Sequence, residues 1–154
     1  TFRRKPKTGA AHLRAYLQPW PEPGTPGDWI EYTRDRVGTR YVDRSTISRQ
    51  ERFAGAWIRE DLNAAGLAES RRLAAARPAG REQVLIMERT YLRVLIDCTQ
   101  KLLKHQEMRI WMGGKEAFVS RYAGEEPLNW ERIRIYADNN AELARRLCEA
   151  PPTR

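Results

Sequence analysis

Reactive side chains are what this chain has least of. Its 154 residues contain two histidines, His12 and His105, and two cysteines, Cys98 and Cys148. Neither histidine has a second His or Cys at metal-ligand spacing, so a His/Cys metal centre is not expected. The cysteines stand fifty residues apart, with no CxxC pair. Each falls on an apolar face of an expected helix, which reads as a buried free thiol and suits a reducing compartment. Phosphate-cradling GxxxxGK[ST] and GxGxxG runs are missing, as is the GxSxG of a serine hydrolase. The adjacent carboxylates Glu60-Asp61 and Glu125-Glu126 sit where helix dipoles or water would hold them, rather than in an acid–base pair. No enzyme and no cofactor are expected.

Long apolar runs are missing too. Val84–Met87 and Val94–Ile96 are interrupted by Glu88, Arg89, Arg93 and Asp97, far short of the roughly 20 residues of a helical membrane span. Lysine is scarce, with five against 23 arginines in a chain of net charge +8. Arginine suits desolvated ion pairs and grips phosphate in bidentate fashion, and a GC-rich genome produces the same bias. Residues 1–50 carry ten basic and five acidic side chains, so they hold +5 of the excess. The rest of the chain is nearly balanced, which weakens nucleic-acid binding as the first reading.

What is present divides into two parts. Residues 1–45 form an extended basic arm rich in Pro, Gly and Trp. Arg3, Arg4 and Lys5 lie at its start, and four prolines and two glycines crowd Gln18–Gly27. Proline fixes φ and removes donors, so that stretch is a stiff connector. Trp20 and Trp29 are large anchors of the kind an extended segment drops into a partner's pocket. Within this arm, residues 28–37 could add a helical turn or two.

Residues 46–150 read as a helical domain. Ser48-Arg49-Gln50-Glu51 has capping-box spacing. Phe53, Ala54, Trp57, Ile58, Leu62 and Ala65 then follow the helical period, and Gly66 fits the left-handed position past the end. Leu67–Ala76 reads as a short Ala-rich helix. Arg81–Met112 reads as one long helix of roughly 45 Å, with a stripe from Val84 to Leu103 too broad for a single partner helix. Gly113-Gly114 ends it, and a short helix over Lys115–Ala123 follows. The last helix buries Trp130, Ile133, Ala137, Ala141, Ala144, Leu147 and Cys148. The arginine pairs Arg71-Arg72 and Arg145-Arg146 are spaced like solvated faces or interface salt bridges. The expected fold is all-α: an irregular helical bundle or short α-solenoid-like hairpins behind an N-terminal strap.

Thr90-Tyr91-Leu92-Arg93-Val94-Leu95-Ile96-Asp97 resembles the opening helix of a pentatricopeptide repeat, with one extra residue between Tyr and Leu-Ile. Trp130–Leu147 has the aromatic-then-small pattern of an α-solenoid helix. The chain is similar in size and character to the pentatricopeptide-like helical subunit on the F1 sector of euglenozoan mitochondrial ATP synthase. That resemblance implies a non-catalytic accessory subunit of a mitochondrial energy-transducing complex, an ATP synthase or respiratory complex, which docks to other protein subunits. Arg3, Arg4, Lys5, Trp20 and Trp29 would make the contacts. The start at Thr1, without Met, is what loss of an Arg-rich transit peptide would leave, so the expected location is the mitochondrial matrix or the matrix-facing side of the inner membrane. The competing expectation is a mitoribosomal or other RNA-associated protein whose basic arm touches phosphate.

Overall fold

The structure, a computed structural model, describes residues 27–76, 88–112, 114–121, 131–133 and 139–152. Its chain order is β1 (Trp29–Arg34), β2 (Gly38–Asp43), a 3-10 turn (Arg44–Thr46), β3 (Ser48–Gln50) and β4 (Phe53–Leu62). There follow α1 (Ala64–Ala75), β5 (Arg89–Asp97), β6 (Leu102–Met112), β7 (Lys115–Arg121), β8 (Glu131–Arg132) and α2 (Asn139–Cys148). The strands form one antiparallel sheet in the order β1-β2-β4-β5-β6-β7, with β3 paired to β4 and β8 to β6. The all-α, helical-repeat expectation is therefore overturned. The strap boundary moves as well, because residues 29–43 of the expected arm are two strands hydrogen-bonded into the sheet.

Side-chain alternation explains the sheet. Along β4, Ala54, Ala56 and Ile58 point to one face and Trp57 to the other. Along β5, Leu92, Val94 and Ile96 join the first face while Tyr91 joins Trp57. Helix α2 lies over the first face and buries Leu143, Ala144 and Leu147 against it, together with Tyr32, Val42 and Leu103. Both faces of β5 are buried, so even Arg93 and Asp97, which alternate with Leu92, Val94 and Ile96, are covered. A doubly buried strand then presents the same apolar residues that a wide helical stripe would.

Three turns complete the correction. The expected long helix is broken after Asp97, whose carboxylate accepts from the Thr99 and Gln100 amides at 3.0 Å each and closes the β5–β6 turn. The Ser48–Glu51 capping box is instead β3 and the first turn residue, with Glu51 at φ 51° and Gln50 paired to Phe53. Gly114 at φ 75° turns the chain from β6 into β7, so the expected helix over Lys115–Ala123 is a strand as far as Arg121. The Asp43–Thr46 turn carries the chain from β2 to β3. The buried Asp43 carboxylate accepts from the Asp28 and Ser45 amides, and the Thr46 hydroxyl accepts from the Trp57 amide at 2.9 Å.

Cys98 and Cys148 are joined as a disulfide with Cα atoms 5.8 Å apart. The buried-free-thiol reading fails because the two cysteines cap two different elements. Cys98 follows the end of β5, Cys148 ends α2, and packing α2 on the sheet brings the two ends together. Among the described residues no helix is long and apolar enough to cross a membrane.

Candidate binding site

The face of the sheet opposite α2 carries aromatic and cationic side chains in register: Tyr41, Arg59, Tyr91 and Arg109 across four strands, and Trp57, Arg93 and Glu107 across three. The Arg59 guanidinium lies 4.3 Å from the Tyr41 ring centroid and 5.0 Å from that of Trp29. Arg93 lies 5.4 Å from the centroid of Trp57, and Trp29 meets Tyr91 at 5.9 Å. Arg93, Lys104, Gln106 and Glu107 are all buried here, and Arg93 Nε donates to Gln106 Oε1 at 3.3 Å. Stacking on an aromatic face is worth about 2 kcal/mol when desolvated. These cations are therefore structural members of a second, polar core and do not line an open phosphate-binding surface. Tyr32, buried on the α2 side, has its phenol pushed up by that burial.

Of the residues expected to bind partners, Arg3, Arg4, Lys5 and Trp20 lie outside the described residues. Trp29 lies on β1, where its ring packs inside the chain against Tyr91 and Arg59. Thr90–Asp97, which the pentatricopeptide resemblance places on a helix, is strand β5.

The outward-facing feature is α1. Asn63 caps it, accepting from the Gly66 amide at 2.8 Å while its own amide donates to the Val37 carbonyl at 3.0 Å. A Cβ at Gly66 would collide with that carbonyl oxygen, so glycine permits the first turn to sit on the β1–β2 turn. Arg36 reaches Glu69 at 2.9 Å and ties down the second turn. Beyond that the described side chains are open to solvent. Arg71, Arg72 and Ala75 are exposed, and Leu73 is 52% exposed, the largest apolar side chain so open among the described residues. Leu73 follows Gly66, Glu69 and Ser70 by seven, four and three residues, so it lies on the same side of the helix as they do.

At the other end of the molecule α2 carries an ion network. Arg145 donates to both Glu142 oxygens, at 3.0 and 2.6 Å, and to Glu149 at 3.3 Å, and Arg146 reaches Glu142 at 3.1 Å. The Arg145 hydrogen bonds, helped by Arg146, hold the Glu142 carboxyl down to about 2. A depressed carboxyl stabilises the fold above its ordinary value of 4.5, and that contribution is lost as pH falls toward 2. The melting temperature of the native chain is expected to fall more steeply over that window than that of Glu142→Gln. Parallel curves would show that the network adds nothing.

The side of α2 that holds Arg145 also borders a groove of about 650 Å³ beside the disulfide. Among the described residues no three His, Cys, Asp or Glu side chains converge in a way that could hold a metal ion. Neither Lys101, at the groove rim, nor Leu73 carried a sequence signal of function. The left-handed backbone at Lys101, φ 56°, is invisible in a Gln-Lys-Leu run, and Leu73 reads as an ordinary member of an Ala-rich helix. No family model, curated protein or solved structure matches this chain.

Proposed function

We propose that the chain is a non-catalytic binding protein that works in an oxidising compartment and docks to another protein through the exposed half of α1. That exposure carries the reading. Of this twelve-residue helix, Gly66 is buried while Arg71, Arg72, Leu73 and Ala75 are exposed. Isolated helices of that length are marginal in water, so a helix with its second half open to solvent is best supported by an external contact. Leu73 supplies an apolar anchor, and Arg71 and Arg72 flank it with positive charge that is not committed to any ion pair among the described residues. The complementary partner surface is an apolar slot rimmed by carboxylates, in keeping with the chain's net charge of +8. The Cys98–Cys148 bridge supports the compartment, because disulfides persist where the medium is oxidising and are rare where thiol pools keep cysteines reduced.

The test is photo-cross-linking in the native host with a photoreactive residue at position 73 or, as a control, at the exposed Arg34. The expected result is one discrete adduct from position 73, none from position 34, and loss of the adduct when Arg71 and Arg72 are both changed to Glu. Identical patterns from the two positions would overturn the docking assignment.

A further inference from the structure

We infer that the groove beside the disulfide is a binding site for a single-chain amphiphile bearing one carboxylate. Its wall is apolar: Ile133, Ala141, Ala144 and the two half-cystines Cys98 and Cys148 line it. Its volume of about 650 Å³ falls within the usual range of small-molecule sites, roughly 300–1,000 Å³. Among the described residues, four charged side chains also line it, Lys101, Glu142, Arg145 and Glu149. Arg145 bonds Glu142 through two nitrogens and Glu149 through the third, and Arg146 behind it also bonds Glu142, so the two carboxylates are balanced by two guanidinium groups.

Lys101 is the exception. It has no ion-pair partner among the described residues, and its backbone stands at φ 56°, a region that Gly or Asn fills more readily than lysine. Its carbonyl accepts from the Ile133 amide at 2.9 Å, which fixes the β5–β6 turn against one wall of the groove. A lysine held there at a conformational cost, exposed and uncommitted beside an apolar trough, matches one negative headgroup with a hydrocarbon tail. Doubly charged anions and cations both fit less well, because the other charged side chains described in the lining are already paired. This site lies on α2 and does not depend on the α1 docking surface.

Lys101→Gly is the informative variant, because glycine relieves the left-handed backbone while removing the ammonium. Dodecanoate and dodecanol are titrated by calorimetry into the full oxidised chain, the Lys101→Gly variant and an Ala141→Trp variant that fills the groove. Dodecanoate is expected to bind the native chain and to lose about fivefold in affinity in Lys101→Gly, the upper end for an exposed ion pair. Dodecanol is expected to bind both of these proteins alike, and Ala141→Trp to bind neither ligand. Dodecanoate affinity that is unchanged in Lys101→Gly would overturn the headgroup assignment. Binding that survives Ala141→Trp, or no binding to the native chain, would overturn the site.

Discussion

Replacing Cys98 and Cys148 together by alanine is expected to lower the free energy of unfolding by about 4 kcal/mol. The bridge closes a loop of fifty residues, and the chain-entropy estimate for a loop of that length at 25 °C is about 4 kcal/mol. Most domains are stable by only about 5–15 kcal/mol, so the loss is a large share of the total. It falls unevenly. Cys148 is the last residue of α2, so the bridge ties that end of the helix to the residue that follows β5. Without the bridge α2 keeps the burial of Leu143, Ala144 and Leu147 and the Arg49 hydrogen bond to the Cys148 carbonyl. Urea unfolding of the oxidised chain, the double alanine variant and the native chain with a dithiol reductant measures the effect. The last two should share one lowered midpoint. Hydrogen exchange should rise first in α2 and later in β4 and β5. Midpoints that coincide for all three samples would remove the bridge from the account.

The second large effect lies on the opposite face. Trp57 is 1% exposed and packs with Tyr91 and Trp29. Its alanine variant is expected to lose about 3–5 kcal/mol, the usual range for deleting a buried aromatic. Arg93, itself 4% exposed, would then face a cavity instead of a ring. Leu73→Ala makes the contrast, because an exposed side chain away from the core is expected to change stability by no more than about 0.5 kcal/mol. Chemical denaturation of both variants checks the pair. Equal losses would mean that the sheet's second face is not a core.

The alternation that makes Trp57 buried is also what a helical reading hides. Phe53, Trp57 and Ile58 recur at helical spacing, yet Trp57 and Ile58 belong to opposite faces of a strand whose two sides are both covered. The β-branched and aromatic run Thr90-Tyr91…Val94…Ile96 was the legible strand signal. The β5–β6 turn gave it no support, since Cys98-Thr99-Gln100-Lys101 has no Gly, Pro or Asn and depends on the Asp97 side chain. Where only one side of an element is covered, the pattern was legible. The Ala-rich helix expected at Leu67–Ala76 is α1 at Ala64–Ala75, which takes in the expected stop Gly66; the final helix buries Ala144 and Leu147 but begins at Asn139, with Glu131–Arg132 a strand. The helix end expected at Gly113-Gly114 is overturned: Gly114 lies in the turn between strands β6 and β7.

The candidate sites were less legible for a related reason. A disulfide between two isolated cysteines needs the fold before its partners become neighbours. The groove is assembled from the β5–β6 turn, a residue beside β8 and α2, and no local pattern reports such a juxtaposition. Trp29 has the aromatic bulk of a partner anchor, and only its pairing opposite Asp43 reveals that it faces Tyr91.

The state of Cys98 and Cys148 in the chain taken from its native host tests the account most directly, because the bridge both holds α2 to the sheet and supports the oxidising compartment. The chain is trapped with an alkylating agent at the moment of lysis, and its intact mass is measured before and after reduction. The account predicts no alkylated cysteine before reduction and two after it, with the untreated chain lighter than the reduced one by two hydrogens. Two alkylated cysteines at the first step would contradict it.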